Sequence, residues 1–147
     1  MKKFTSSDVW ILHTIAYASA HKPASLQDII TVGDFLEHAI FNYGELQNGL
    51  HNLFQAGYIS QVDKCYVLTE FGKNKLIHIK KRTVMSERDE ISKKLGVSSR
   101  TPPQSSPEYD PLLNPVFFTI SEFKIAYKKY MKNLGETQKI ETKISRQ

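Results

Sequence analysis

Cysteine is almost absent from this chain of 147 residues. A single thiol, Cys65, leaves no internal disulfide and no multi-cysteine zinc site, and its strand-like surroundings suit a small buried apolar role. Glycine is sparse, at seven, and neither G-x-S-x-G, a Walker loop nor G-x-G-x-x-G occurs. Without a nucleophile elbow or a phosphate-cradling loop, the chain is expected not to be an enzyme. H-E-x-x-H and comparable metal patterns are missing too. Asp34, Glu37, His38 and His51 lack converging ligand spacing, and Asp34 and His38 read as making local hydrogen bonds, so neither metal nor cofactor is expected. His13, His21 and His78 read as plain helix and loop residues. No apolar run approaches the roughly 20 residues of a membrane span. Two lysines ahead of an apolar stretch ending at Ala20 superficially match a signal peptide. Asp8, His13 and Thr14 interrupt that stretch at amphipathic spacing, so a structural helix in a cytoplasmic protein is expected.

Positive charge is scarce in the first half. Up to Gly72 four basic residues stand against seven acidic ones, and beyond it sixteen stand against eight, so the net +5 originates in the second half. A hydrophobic content of 40% with 24% charged residues is ordinary for a globular protein, and this length supports one modest core.

Residues 42–72 are the most patterned stretch. Leu46, Leu50, Leu53 and Phe54 form one apolar stripe at helical spacing, and Asn42 with Glu45 makes a capping box. Gly57 sits where a left-handed residue would stop the helix. Two short strands are expected at residues 58–60 and 65–68 with a polar turn over residues 61–64, and Thr69 then caps another helix.

Upstream, Ser6 or Ser7 is the expected cap of a first helix reaching about Ala20. Ser25 with Asp28 opens a second helix, which Gly33 is expected to break or bend. The short turn over residues 41–43 then sets two helices together in helix-turn-helix geometry. Downstream, one helix is expected from Thr69 to about Leu95, ended by Gly96. Residues 97–116 hold five of the six prolines and several serines, a linker composition. A last amphipathic helix begins at Ile120 or Ser121. It carries Phe123, Ala126, Tyr127, Tyr130, Met131 and Leu134 on one face and Lys124, Lys128, Lys129 and Lys132 on the other, and it frays from Gly135.

The run Leu50-x-x-Leu53-Phe54-x-x-Gly57-Tyr58-Ile59, followed by a hairpin and Leu68-Thr69-x-x-Gly72, resembles the winged helix-turn-helix regulators of the MarR and PadR type. The resemblance covers roughly residues 6–80. It implies a mainly α fold with a small β-hairpin wing and a C-terminal helical extension: a winged domain over residues 1–80, a helical extension over 81–96, the linker over 97–116, and a terminal helix and tail over 117–147. It further implies a homodimeric transcriptional regulator that binds double-stranded DNA. The helix over residues 44–55 would enter the major groove, with Gln47, Asn48, His51 and Asn52 facing solvent as base readers. Tyr43 would meet a phosphate, and Lys64 at the wing tip the backbone or minor groove. That helix has no Lys or Arg, whereas phosphate neutralisation supplies most non-specific affinity. Lys73, Lys75, Lys80, Lys81 and Arg82 would have to supply the cations. An adaptor is the second expectation, because winged helices also bind protein. Phe123, Tyr127 and Tyr130 would then form its contact surface.

Overall fold

The structure, a computed structural model, describes residues 4–77, 79, 83–97 and 117–145, with side chains in the last helix described as far as Leu134. Among these residues six helices and one hairpin occur. They are, in order, α1 (Ser6–Ala18), α2 (Leu26–Glu37), α3 (Tyr43–Gln55), β1 (Ile59–Val62), β2 (Cys65–Leu68), α4 (Glu70–Leu76), α5 (Val84–Leu95) and α6 (Ile120–Ser145). The chain is thus mainly helical with a small two-stranded antiparallel hairpin. No described helix is long and apolar enough to cross a membrane.

α1 is the hub, packing against α2, α3, α5 and β2. A helix surrounded on several sides must be apolar on several sides, and Val9, Ile11, Leu12 and Ile15 are all buried. Leu46, Leu50 and Leu53 of α3 meet them, with Ile29, Phe41, Ile59 and Tyr66 closing the core. α5 belongs to the same core through Ile91 and Leu95. A second, smaller cluster joins Ile30 of α2 to Ala126 and Tyr130 of α6.

Local chemistry sets the boundaries, and several differ from the sequence expectation. Thr5, rather than Ser6 or Ser7, caps α1. Its hydroxyl accepts the Asp8 N–H at 3.2 Å while Asp8 accepts the Thr5 N–H at 2.9 Å, and neither serine has an acid three residues on. Ser25 with Asp28 and Asn42 with Glu45 form the expected capping boxes. α2 runs through Gly33 unbroken: the Trp10 indole N–H donates to the Gly33 carbonyl at 3.0 Å, and the Phe41 ring covers the glycine where a Cβ would overlap it. Trp10 and Phe41 stack at 3.7 Å, which offsets the roughly 1 kcal/mol helix cost of a glycine.

The hairpin is tighter than expected, its turn reduced to Asp63 and Lys64, with Asp63 left-handed at φ 55°. Ala24 adds an unforeseen third edge, exchanging backbone hydrogen bonds with Tyr66 at 2.9 and 2.8 Å. The single helix expected from Thr69 to Leu95 is two helices, because Thr83 caps α5 afresh by accepting the Ser86 N–H at 3.1 Å. Gly96 ends α5 at φ 73°, as expected. α6 does not fray at Gly135; its helical backbone continues to Ser145.

The Leu-Thr-x-x-Gly run has a physical reason. Thr69 caps α4 by accepting the Gly72 N–H at 3.0 Å, and its hydroxyl donates to the Gly57 carbonyl at 2.5 Å. The Thr69 N–H donates to the Tyr58 carbonyl at 3.0 Å. A Cβ on Gly72 would overlap that same Tyr58 carbonyl, so α4 sits against the end of α3 only because position 72 has none.

Candidate functional site

The α3 face that would read a groove is not open. Between Tyr43 and Leu53 no residue of α3 is fully exposed. What covers it is the start of the C-terminal segment. Thr119 and Glu122 form a capping box, with the Glu122 N–H donating to Thr119 Oγ1 at 3.1 Å and the Thr119 N–H to Glu122 Oε1 at 3.0 Å. Starting α6 there leaves residues 117 and 118 as a bend whose main chain lies against α3.

Gln47 binds that main chain with both ends of its amide. Its Nε2 donates to the Phe118 carbonyl at 2.5 Å, and its Oε1 accepts the Phe117 N–H at 3.2 Å. The side chain is wholly buried. The Tyr43 hydroxyl donates to the same Phe118 carbonyl at 3.2 Å. Because the amide holds its N–H donors and its carbonyl acceptor in one fixed plane, this pair recognises the bent main chain of residues 117 and 118 whatever its side chains are. The side chains add apolar contact. Phe118 is buried and edge-on to Tyr43 at 5.5 Å, while Phe117 meets Phe54 at 5.6 Å and Tyr66 at 6.2 Å. Burying Phe118 alone contributes about 2–3 kcal/mol, against roughly 1 kcal/mol for each hydrogen bond. The aromatics therefore supply most of the affinity, and Gln47 sets the register.

The hairpin holds the other edge. Gln61 Nε2 lies 3.4 Å from the Phe117 carbonyl, and Lys64 pairs with Glu122 at 3.3 Å. The Thr119 backbone N–H, and then Lys64, hold the Glu122 carboxyl below its ordinary range. Lys64 is exposed, so this pair is worth little energetically. Its consequence is that the wing-tip cation is already matched by an acid.

Further along α6, the Tyr130 hydroxyl donates to the Asp34 carboxylate. Burial first, then this hydrogen bond and the Asp34 charge, push the hydroxyl up to about 12 from 10.0. Undocking returns it to the ordinary value, so docking draws full benefit below about pH 10 and loses it as pH rises through 10 to 12. The Ala126 and Ile30 methyl signals in 13C NMR are accordingly expected to shift to undocked positions across that window, and Tyr130→Phe to remove the transition.

The positions named from sequence therefore separate into groups. Gln47 and His51, expected to face solvent, are buried, because α3 is covered on its outer side as well as its inner one. Asn48 is half-buried, and Asn52 donates to the buried Asp8 at 3.3 Å. Tyr43 faces Phe118, where a phosphate was expected. Lys73 is exposed and paired with Glu70 at 3.5 Å. Lys80, Lys81, Arg82, His78 and nearly all of the 97–116 linker lie outside the described residues. Of the α6 aromatics, Tyr130 is buried, Phe123 half-buried and Tyr127 exposed. Phe117, Phe118, Thr119, Glu122, Gln61 and Asp34 were missed as contact residues. The Thr-x-x-Glu box directly after two phenylalanines was the available signal. Among the described residues no group of His, Cys, Asp and Glu is arranged to hold a metal ion.

Compared with protein families, curated proteins and solved structures, the chain matches none.

Proposed function

We propose that this chain is a winged helix-turn-helix module whose α3 face binds protein. The winged-helix reading rests on the order helix, Ala24 edge, helix, helix, hairpin, with α3 directly ahead of the hairpin. The protein-binding reading is carried by one observation: the buried Gln47 amide is spent at both ends on the main chain of residues 117 and 118. The partner chemistry is a pair of aromatics leading into a capped helix, and the chain's own C-terminal segment occupies the groove in cis. A single free thiol fits a reducing, cytoplasmic setting. Ile120, Tyr127 and Met131, exposed along one face of α6, offer an apolar surface for a homodimer.

The test uses a fluorescent peptide of residues 117–134. It is expected to bind the Phe118→Ala chain, whose cis segment is weakened, about tenfold more tightly than the unaltered chain, a difference of about 1.4 kcal/mol. Gln47→Leu should abolish that binding.

A second reading keeps α3 for double-stranded DNA as a transcriptional regulator. The placement of α3 ahead of the hairpin favours it, and the segment over residues 117–130 would first have to leave. It predicts salt-dependent duplex binding that appears in Phe118→Ala and is lost when Lys80, Lys81 and Arg82 become Ala. Duplex binding without peptide binding would replace the first reading by the second.

A further inference from the structure

Away from the α3 face, α1, the end of α4 and α5 enclose a recess of about 330 Å³. This lies at the lower end of the roughly 300–1,000 Å³ typical of small-molecule sites. Its body is apolar, formed by Ala16, Ala20, Leu76, Ile79 and Ile91. Its polar groups are His13, Tyr17 and Glu87. His13 is 2% exposed, and neither ring nitrogen has a hydrogen-bond partner. The nearest acid is Glu87, whose Oε1 lies 3.8 Å from His13 Nε2 and accepts the Tyr17 hydroxyl at 2.5 Å.

A buried imidazole with both nitrogens unspent calls for a reason, since such groups cost about 1–3 kcal/mol each. Burial lowers the affinity of His13 for a proton, so at neutral pH the ring offers one acceptor and one donor. Beside it stands a carboxylate, and no described lining residue is a Lys or Arg. Among the described residues the cation near this ring, Arg88, is already paired with Glu37 at 2.7 Å, so an anionic ligand would meet the Glu87 charge. A ligand bearing a protonated amine would pair with Glu87 and lie against the half-exposed Tyr17 ring face.

We infer that the recess between α1, α4 and α5 is a binding site for a small apolar amine, its ammonium group on Glu87 and its hydrocarbon body against Ala16, Ala20 and Ile91. Phenethylamine is the probe, with phenylacetate as the anionic counterpart of similar size. The measurement is 13C-methyl NMR titration of the full chain. Saturable shifts of the Ala16, Ala20 and Ile91 methyls are expected with phenethylamine at roughly millimolar concentration, a fragment's ordinary range, and none with phenylacetate. Glu87→Gln should weaken phenethylamine about tenfold by removing the charge-assisted bond. Ala16→Leu, which places a larger side chain in the recess, should abolish binding while leaving the Ile30 and Ala126 signals of the α6 contact unchanged. Equal shifts with both probes, no saturable shift with either, or full binding by Ala16→Leu would overturn the assignment.

Discussion

Replacing Gln47 with Leu is expected to loosen residues 117–130 from α3 while the core around α1 stays folded. Leucine fills much the same volume but leaves the Phe117 N–H without an acceptor, and the Phe118 carbonyl keeps only Tyr43. One lost hydrogen bond and one orphaned, partly buried donor amount to roughly 3 kcal/mol. That is comparable to the contribution of burying Phe118, so the segment leaves α3 far more often, while Phe117 and the Ile30–Ala126–Tyr130 contact still draw it back. Hydrogen exchange at residues 120–130 should accelerate by about two orders of magnitude, the factor that corresponds to such a loss. Exchange in α1 should be unchanged. Unaltered protection in α6 would mean that the aromatics alone hold the segment, and that Gln47 does not set its register.

The second large effect is expected at Gly72. A Cβ there meets backbone, the Tyr58 carbonyl, and backbone cannot swing aside as a side-chain end can. Gly72→Ala must push α4 away from the end of α3 and stretch the bond from the Thr69 N–H to the same carbonyl. The cost is about 3 kcal/mol, near the top of the ordinary overpacking range, and a fall in Tm of roughly 10 °C. Gly57→Ala is the comparison. Its φ of 84° makes alanine strained, but only Phe71 lies near, so about 1–2 kcal/mol is expected. Equal losses at the two sites in a thermal melt would show that the Tyr58 contact is not what position 72 protects.

These two residues also mark how far the sequence could be read. The caps at Ser25, Asn42, Thr69 and Gly96, and the leucine stripe of α3, were legible because each is a local pattern whose partner lies within a few residues. Gly72 stood out as part of a motif, but the carbonyl it accommodates is fourteen positions away. Gln47 was misread for the same reason at larger scale. Periodicity places it off the apolar stripe, which normally means solvent, whereas a segment seventy residues downstream covers that side. Long-range coverage leaves no trace in the spacing of α3 itself. His13 was passed over because a histidine in an amphipathic helix looks the same whether its nitrogens are satisfied or not. Gly33 was misjudged because its cost in a helix is local and intrinsic, while Trp10 and Phe41 offset it from outside.

The proposed role of the α3 face requires the Gln47 amide to be held by main chain. In 15N-resolved NMR its side-chain NH2 can be observed directly. Hydrogen exchange of that NH2 is expected to be much slower than for an exposed glutamine, with nuclear Overhauser contacts to the Phe117 N–H and the Phe118 α-proton. Exchange at the free rate with no contact to either phenylalanine would contradict it, and would return the α3 face to solvent and to the nucleic-acid reading.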